Sequence, residues 1–381
     1  METTVTSTLE KKKLAAIATE GENVLNTYTA LRLLAAFQVN GYFVNANQVV
    51  IEETLREDIG VLPAYNRLFA ALLNILERHD FLRRQDQHWQ TTYRVADAAI
   101  LAETQLIQQS SGNYLTDSEP VRDFISAYVR LGNLCFNAFY DLLTGRKRYM
   151  DVLFPGGDMS LVAAIYTGNI QTYQNRLVAA RVRQLVKNRS KAGVTIQILE
   201  VGAGTGGTTT SVLRSLVGYE ANVTYWYTDV SAGFTRFGRR EFSTAYPYLQ
   251  FKALDISRDP VGQGFQADSI DILVCNNVLH ATADIRTCIN NARTLLRSGG
   301  VAVINDLTAR LDFNTVTFGF TNDWWNYTDD ALRIPHCPIL PGATWRTLLT
   351  ELGFDQIEIL GIPDVEEERL HQSVMLARKL Q

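Results

Sequence analysis

The stretch Ile198-Leu-Glu-Val-Gly-Ala-Gly-Thr-Gly-Gly207 decides the fold. It continues an apolar run from Val194 to Leu199, which is typical of a buried strand, and it leads into Thr208 to Leu216, which favours a helix. A strand, a glycine turn and a helix let the backbone approach a nucleotide, and the helix N-terminus offers free N–H groups to it. The sequence therefore predicts an α/β fold with a nucleotide site after this strand.

The acid in this stretch favours S-adenosylmethionine (SAM) over a dinucleotide. The spacing is Glu-x-Gly-x-Gly-x-Gly, and Glu200 places a carboxylate beside the ligand. That charge would repel a pyrophosphate and attract an amino group or a sulfonium. The glycines alone are weaker evidence, because Gly202, Gly204 and Gly207 also fit the dinucleotide pattern Gly-x-Gly-x-x-Gly. An NAD site or a purely structural turn is the alternative for this stretch taken by itself.

Two further strands end in acids. Val223 to Thr228 predicts a strand that ends at Asp229, 229 − 204 = 25 residues after the second glycine, where a carboxylate can accept two ribose hydroxyls. Leu249 to Leu254 predicts a third strand that ends at Asp255 and Ile256, which suit the amine and the ring of an adenine. The predicted cofactor residues are Glu200, Gly202, Gly204, Thr205, Asp229, Asp255, Ile256 and Asn276.

The remaining elements complete a Rossmann-like sheet of the class I SAM-methyltransferase type. Ile270 to Cys275 and Val301 to Asn305 predict the fourth and fifth strands. A helix from Thr344 to Leu352 and a strand from Phe354 to Leu360 follow, and Ser373 to Lys379 predicts a last strand that is antiparallel. The sheet is therefore expected to be mostly parallel, with a mainly helical N-terminal lid domain before it.

The chain divides by pattern into four parts. Residues 1–13 are expected to form a disordered leader, and residues 14–150 a helical, winged-helix-like lid domain. Residues 151–190 are expected to form connecting helices, and residues 191–381 the SAM-dependent methyltransferase core.

The N-terminal pattern consists of two helices and a wing. Apolar residues recur at helical spacing from Leu14 to about Val39 and from Val61 to Asp80, and Phe81 to Val95 alternates like a short β-wing. This arrangement raises DNA binding as one interpretation. The arginines near it are scattered among acids, so a packing or lid module is favoured. They are Arg67, Arg78, Arg83 and Arg84.

Composition narrows the class of protein. The net charge is −4, which gives no electrostatic footprint for nucleic acid. The polar N-terminus is unlike a signal peptide, and no apolar run reaches the length of a membrane span. The four cysteines show no metal-site spacing and are expected to be reduced, mostly buried thiols in a cytoplasmic protein. They are Cys135, Cys275, Cys288 and Cys337.

The region after the fourth strand resembles the methyltransferase domains of polyketide synthases. The segment Asn276-Asn-Val-Leu-His-Ala-Thr282 is the most specific part, and Arg297-Ser-Gly-Gly300 and Ile304-Asn-Asp-Leu-Thr308 extend it. Further matching stretches spread the likeness over most of the chain. They are Leu62-Pro-Ala-Tyr-Asn-Arg-Leu68, Leu153-Phe-Pro-Gly-Gly157, Thr317-Phe-Gly-Phe320, Trp324-Trp325, Arg333-Ile-Pro335 and Trp345.

This resemblance implies methyl transfer to the α-carbon of a β-ketoacyl or malonyl-type thioester on an acyl carrier protein, next to other polyketide synthase domains. The family's catalytic histidine and glutamate correspond here to His280 and Asp306. A histidine can remove the α-proton, and an acid behind it fixes the tautomer and stabilises the imidazolium. Aspartate is one methylene shorter than glutamate. That departure leaves open whether Asp306 contacts His280 directly, acts through water or holds another partner.

Three alternatives to this function stay open. Oxygen-methylating relatives use a histidine base against a β-hydroxyl. Some members bind a divalent metal beside the histidine, where it would acidify the α-carbon as a Lewis acid. The polar residues Asn276, Asn277, Asn305, Asp306 and Thr282 are the candidates for completing such a site, although the sequence contains no compact ligand cluster. A catalytically inactive domain that keeps only the fold is the third alternative.

An aromatic segment is expected to cover the acyl group. Phe318 to Tyr327 contains Trp324, Trp325 and Tyr327 in what should be a loop or short helix. Core packing of the lid is the simpler interpretation, and a cover over the thioester and its pantetheine arm is the functional one. The predicted substrate residues are Tyr166, Asn277, Trp324, Trp325 and Tyr327.

Overall fold

The computed structural model describes residues 8–86, 88–109, 115–158, 160–166, 169–190, 193–363, 365–367 and 371–380. The described helices are α1 (Thr8–Ala16), α2 (Glu22–Val39), α3 (Glu52–Ile59), α4 (Asn66–Arg78), α5 (Ala98–Gln109), α6 (Glu119–Asn137), α7 (Phe139–Leu143), α8 (Tyr149–Leu153), α9 (Ser160–Tyr166), α10 (Asn169–Arg189), α11 (Gly207–Ser215), α12 (Ala232–Phe242), α13 (Ile285–Leu295), α14 (Asp312–Val316) and α15 (Gly342–Glu351). The described strands are β1 (Val49–Ile51), β2 (Leu82–Gln85), β3 (His88–Thr91), β4 (Ile196–Val201), β5 (Val223–Asp229), β6 (Leu249–Ala253), β7 (Ile270–Asn276), β8 (Leu296–Leu307), β9 (Phe354–Leu360) and β10 (Gln372–Lys379).

A seven-stranded sheet forms the C-terminal half, in the order β6-β5-β4-β7-β8-β10-β9. The five strands from β6 to β8 pair in parallel, and β10 runs antiparallel between β8 and β9. The predicted mostly parallel sheet with an antiparallel last strand is confirmed. The strand order reverses between β4 and β7, and ligands of such sheets bind at the carboxyl ends beside this point.

Both faces of the sheet are buried, which explains why its strands are almost continuously apolar. On one face Ile198 and Val303 pack with Val182 of α10. On the other face Leu199 and Ala302 belong to a separate cluster with helices α13 and α15. Alternate residues of each strand therefore anchor helices on opposite sides, and the strand tips between the layers are left for polar residues.

The N-terminal region is a helical unit with a small antiparallel sheet in the order β1-β3-β2. The β2–β3 hairpin corresponds to the expected wing, and β1 adds a third strand that the sequence pattern does not reveal. The helix α2 lies at the centre, with Leu33, Leu34 and Phe37 fully buried. We call the N-terminal unit, residues 14–150, the lid.

The hydrophobic core of the lid includes a segment from far along the chain. Residues 307–339, between β8 and α15, contribute buried side chains to the cluster that contains α2, α4 and α6. Phe313 packs edge-to-face on Tyr128, and Arg78 and His79 form ion pairs with buried Asp312. The expected boundary near residue 190 therefore divides the sequence but not the packing. Residues from beyond it complete the hydrophobic core of the lid.

The expected leader needs correction at its C-terminal end. Residues 8–13 belong to helix α1, and residues 1–7 lie outside the described part of the chain. The reason is local packing: Leu14 is buried with Tyr173 and Ile362, and Glu10 pairs with Arg176 at 2.9 Å. The helix is thus fixed to α10 by contacts whose partners lie more than 150 residues away.

Two further expectations concern the membrane and the thiols. None of the helices in the described ranges is long and apolar enough to cross a membrane. The four cysteines are buried and free, as predicted, and they are Cys135, Cys275, Cys288 and Cys337.

Candidate active site

The glycine turn after β4 combines tight packing with one open position. Gly202 has a φ of +66°, and a Cβ there would lie 2.4 Å from Val278 Cγ2. Gly204 also has a positive φ, +55°, but a Cβ there would meet no atom of the described residues within 4 Å. Gly202 is therefore required by its neighbour and by its conformation, while Gly204 leaves free space beside the backbone. That space suits a close ligand, and exposed Thr205 lies at the tip of the turn.

Glu200 lies beneath the turn. Its side chain is buried, and Oε2 accepts hydrogen bonds from the hydroxyls of Thr209 at 2.6 Å and Tyr225 at 2.7 Å. Burial raises the pKa of Glu200 to about 7, against the lowering effect of the two hydroxyls. The carboxyl group joins α11 and β5 under the predicted cofactor site. With this pKa, it changes charge near neutral pH.

Asp229 connects the tip of β5 to the turn. Its Oδ2 accepts the N–H of Gly204 at 3.0 Å, and its Oδ1 accepts the N–H of Ser231 at 2.8 Å. Each carboxylate oxygen keeps a second lone pair, so two ribose hydroxyls can still be accepted. Asp229, the predicted acid at the end of this strand, thus contacts the glycine turn directly.

Asp255 and Ile256 follow β6 and face different surroundings. Asp255 is about one-third exposed, and its Oδ1 accepts from the backbone and hydroxyl of Ser257 at 3.0 and 2.5 Å. Arg258 forms a longer ion pair with its other oxygen at 3.6 Å. Ile256 is buried in the core on one face of the sheet. The acid is thus accessible, while the isoleucine already has protein neighbours.

Asn276 ends β7 in a chain of side-chain hydrogen bonds across four elements. Its Oδ1 accepts from Asn305 Nδ2 at 2.5 Å, and its Nδ2 donates to Thr208 Oγ1 at 2.6 Å. Thr208 in turn donates to Asn175 at 2.9 Å. This chain fixes β7, β8, α11 and α10 relative to one another beside the glycine turn.

His280 and Asp306 form a direct dyad. The distance from His280 Nδ1 to Asp306 Oδ1 is 2.5 Å, and both side chains are buried. The question raised by the shorter aspartate is settled by the backbone, because the N–H groups of Leu279 and His280 both donate to Asp306 Oδ2, at 3.1 and 3.2 Å. These hydrogen bonds hold the loop after β7 close to β8. The short distance compensates for the methylene that aspartate lacks relative to glutamate.

The surroundings of Asp306 decide where the shared proton lies. A third backbone group, the N–H of Leu307, donates to Oδ1 at 2.8 Å. A carboxylate that takes three backbone N–H groups acts as an acceptor, so we assign the proton of the dyad to His280 Nδ1. His280 Nε2 is then the unprotonated nitrogen, which is the form that a general base needs.

A buried arginine holds the histidine loop from behind. Arg333 donates to the carbonyl oxygens of His280 at 2.7 Å and Thr282 at 2.8 Å. It also forms a two-point ion pair with Asp329, which accepts the N–H of Ile285. Arg333, which lies in one of the stretches that resemble the family, therefore fixes the backbone that carries His280.

A cavity of about 160 Å³ opens beside His280 between the lid and the sheet. The Trp324 ring contacts His280 edge-to-face, with centroids 5.8 Å apart. Asn277, at a positive φ of +53°, accepts from Gln372 Nε2 at 3.2 Å. The lining residues are Tyr128, Ile165, Gln171, Asn277, His280, Leu307, Asn314, Phe318, Thr321, Trp324 and His371.

Two of the five predicted substrate residues lie elsewhere. Trp325 donates to the Gly319 carbonyl at 2.7 Å, and the Tyr327 ring lies under the Arg67 guanidinium at 4.0 Å. Arg67 also donates to the carbonyl oxygens of both residues, which fixes them in the core of the lid. The positions of Trp325 and Tyr327 therefore correspond to core packing of the lid and not to a cover over the thioester. Tyr166 ends α9, but its side chain lies outside the described part.

Known methyltransferases are similar to this chain in sequence and in fold. Residues 199–302 match a family described as "Methyltransferase domain". The crystal structure of the DszA carbon methyltransferase is 34% identical and superposes with a TM-score of 0.89, over 98% of this chain and 94% of that one. The polyketide synthase ThaQ of Burkholderia thailandensis is 33% identical over 329 residues, 85% of this chain. The chain belongs to the polyketide synthase methyltransferase family.

This methyltransferase is a SAM-dependent enzyme with the class I fold. The CurJ carbon methyltransferase, at 27% identity, has a TM-score of 0.82 over 98% of this chain and 96% of that one. The chain spans only 15% of the length of ThaQ, so the likeness concerns one part of that large protein.

The structure adds a pocket residue of this methyltransferase that the sequence did not suggest. His371 precedes β10 and lies in the same cavity as His280. Gln171 of α10 lines the same cavity as His371, and it donates to Gln372 Oε1 at 2.7 Å. No local motif marks His371, because its partners come from distant segments. The one available signal was its rarity, since the chain contains five histidines.

The metal alternative receives no support from the described ranges. They contain no group of three or more His, Cys, Asp or Glu side chains that could hold an ion. Near His280, Asp306 is occupied by N–H donors, and Asn305 and Asn276 bond to each other.

Proposed function

We propose that this methyltransferase transfers a methyl group from SAM to the α-carbon of a β-ketoacyl or malonyl-type thioester carried by an acyl carrier protein. The observation that carries the proposal is the buried His280–Asp306 dyad at the edge of the lid cavity. The printed names of two relatives, the DszA and CurJ carbon methyltransferases, agree with carbon as the acceptor. Neighbouring polyketide synthase domains are the expected partners, because ThaQ is much longer than the matched region.

The residues around the glycine turn fit SAM. Gly204 leaves open space beside its backbone, Asp229 retains lone pairs for ribose hydroxyls, and Asp255 is accessible. Glu200, Gly202, Thr205, Ile256 and Asn276 complete the set that would hold the cofactor. When bound, SAM supplies an electrophilic methyl group on a positively charged sulfur.

The dyad supplies the proton chemistry. His280 Nε2 takes the α-proton, and the electron pair of the broken C–H bond stays on the substrate as the nucleophilic enolate. Asp306 stabilises the imidazolium through the proton on Nδ1. Trp324 restricts the ring by its edge-to-face contact, so Nε2 keeps one orientation. General base catalysis of this kind contributes about 10²–10⁴-fold to the rate.

The enolate oxygen also needs a donor. Trp324 Nε1 is buried with no hydrogen-bond partner among the described residues. Because an unpaired buried N–H is costly, a substrate oxygen that accepts from it would be stabilised. Asn277 lines the same cavity, and its amide would be a second polar group for the acyl substrate.

Intact-mass analysis of carrier-bound acyl groups tests the proposal. Purified enzyme and SAM would be incubated with a β-ketoacyl carrier, a malonyl carrier and a β-hydroxyacyl carrier. A gain of one methyl mass on the first or second carrier is expected, with tandem fragmentation placing it on the α-carbon. Reaction of only the β-hydroxyacyl carrier would establish oxygen methylation instead.

Two controls address the remaining alternatives. SAM should raise the unfolding temperature, because a ligand that binds only the folded state stabilises it. Failure of both SAM binding and turnover would identify an inactive domain. The same incubation after chelation, with and without added divalent ions, tests metal assistance, and we expect equal turnover.

A further inference from the structure

A second, smaller cavity of about 20 Å³ lies behind the reaction pocket, between the lid and the sheet. Glu22 contributes from the first turn of α2 in the lid, and Gln174 contributes from α10. His371 lines this cavity and the reaction pocket at once. His371 therefore borders both spaces, together with Tyr128 and Gln171.

Two buried side-chain atoms around the small cavity have unmet hydrogen bonds, and the half-buried carboxyl of Glu22 lines the same space. Gln174 Oε1 and His371 Nδ1 are buried without a partner among the described residues. Burial alone raises the pKa of Glu22 to about 8, and no ion pair in the described ranges involves it. Each unmet buried atom costs free energy, so two such atoms around one space that a carboxyl also lines indicate a missing partner.

The size and chemistry of the space fit one water molecule. A water needs at least about 10–15 Å³ of such volume and two to four polar partners. Burial lowers the pKa of His371 to about 4, and the ring bonds to the backbone of Ala309. We assign the ring proton to the nitrogen at Ala309, which leaves Nδ1 as an acceptor. A water then donates to Nδ1 and to Gln174 Oε1, and accepts from the protonated carboxyl of Glu22.

We propose that Glu22, Gln174 and His371 bind one buried water that holds His371 as a neutral imidazole in the side of the reaction pocket. The role follows from its neighbour: His280 must gain a positive charge when it takes a proton. A charged second imidazole would oppose that charge, because like charges disfavour each other's ionised form. Glu22 and Gln174 are positioning residues in this arrangement, and the catalytic meaning of the pocket rests on the proposed function above.

The arrangement depends on the proton of Glu22. A water has two hydrogens, so an ionised Glu22 would compete with Gln174 Oε1 and His371 Nδ1 for them. The other titratable side chain on the cavity surface is Tyr128, and beyond His371 lies His280. The folded pKa of Glu22 lies above its unfolded value, so the folded state holds a proton that the unfolded state releases. Stability is therefore lost as the pH rises from about 4.5 to about 8.

Glu22→Gln is the sharpest variant, because its amide donates to the water at every pH. Thermal unfolding without substrate would be measured from pH 5 to pH 9. Over pH 5–8 the wild type is expected to lose about 2–4 °C in Tm relative to Glu22→Gln, and the curves become parallel above pH 8. The exposed control Glu53→Gln should follow the wild type. Parallel curves for wild type and Glu22→Gln throughout would overturn the proposal.

A crystal structure at a resolution that shows ordered water gives the second test. Density within hydrogen-bonding distance of Glu22, Gln174 Oε1 and His371 Nδ1 is expected in the wild type and in Glu22→Gln, and none in Glu22→Leu. A dry cavity in the wild type would refute the water site. Neither test uses methyl transfer, so failure of the acyl-carrier assay and failure of the water site remain distinguishable.

Discussion

The two halves of the active site are built in different ways. The proposed cofactor half comes from strand tips between Glu200 and Asn276, and its residues lie close together because parallel strands end at one edge. The proposed acyl half is the cavity beside His280, which forms only where the lid, the segment after β8 and the last strand meet. One half is thus fixed by local order along the sheet, and the other by long-range packing.

Because of this difference, a sequence motif locates residues at strand tips better than it locates residues of the pocket. A strand-tip acid has a defined place once the strand order is known, so substitutions there should affect SAM first. Pocket residues depend on contacts between segments more than 200 residues apart, such as Arg67 with Tyr327. Substitutions in those contacts should affect the acyl substrate first and leave SAM binding intact.

The largest effect is expected for His280→Ala, which should break the acyl half alone. Removal of the base should lower kcat by about 10³-fold, within the range of general base catalysis. SAM affinity, measured by calorimetry, should change less than threefold because no predicted cofactor residue is altered. Turnover close to wild type would reject the base assignment.

Arg333→Met tests the support of the histidine loop. It leaves Asp329 buried without its ion-pair partner and frees the His280 carbonyl oxygen. Breaking a buried pair in this way costs about 3–5 kcal/mol, which urea unfolding would measure. Arg346→Met removes a more exposed pair with Glu367 and should cost under about 1 kcal/mol. An equal loss of unfolding free energy in both variants would show that the contacts of Arg333 add no more stability than an exposed ion pair.

Gly202→Ala and Gly204→Ala compare two positions of the cofactor half. Both have positive φ, which costs alanine about 1–2 kcal/mol, but only at Gly202 does the new Cβ clash, with Val278. Gly202→Ala should therefore lose more folding stability, while Gly204→Ala should weaken SAM binding more than it weakens the fold, because its Cβ enters the open space. Calorimetry and thermal unfolding on both variants check this, and the reverse ranking contradicts it.

Arg67→Met tests the lid contact. The arginine bonds to the carbonyl oxygens of Trp325 and Tyr327 and stacks on the tyrosine ring. Loss of these contacts should loosen the segment that carries Trp324 and raise KM for the acyl carrier about tenfold, with unchanged SAM affinity. Arg83→Met, at an exposed pair, is the control. A change in SAM affinity with an unchanged KM for the acyl carrier would contradict the assignment of this contact to the acyl half.

The smallest effect is expected from the pH dependence of Glu200. Its folded pKa of about 7 exceeds its unfolded value of 4.5, so the folded state binds the extra proton and stability is lost as the pH rises from about 4.5 to 7. Glu200→Gln keeps an oxygen acceptor and should flatten the Tm profile of the SAM-free enzyme over that window. Glu241→Gln, which is exposed, should not. Identical profiles for the wild type and Glu200→Gln would contradict the assigned shift.

The sequence predicted the sheet and the position of Asp229 at the end of its strand, because the apolar pattern marks where a strand ends. It identified His280 and Asp306 but could not measure their contact, since the compensation lies in backbone N–H groups of a loop. It could not find His371, whose partners are distant in the chain. Trp324 and Trp325 are adjacent in sequence, yet only Trp324 lines the pocket. Such a distinction depends on side-chain direction, which aromatic composition does not give.

The insertion of β10 between β8 and β9 has a consequence for biosynthesis. Because β10 pairs with both neighbours, β9 cannot join the sheet until the last strand has left the ribosome. The same late segment begins beside His371, so a nascent chain contains the glycine turn long before it can complete the cavity beside His280. Premature termination within β10 should yield a chain with an unpaired β8 edge, which is a template for aggregation.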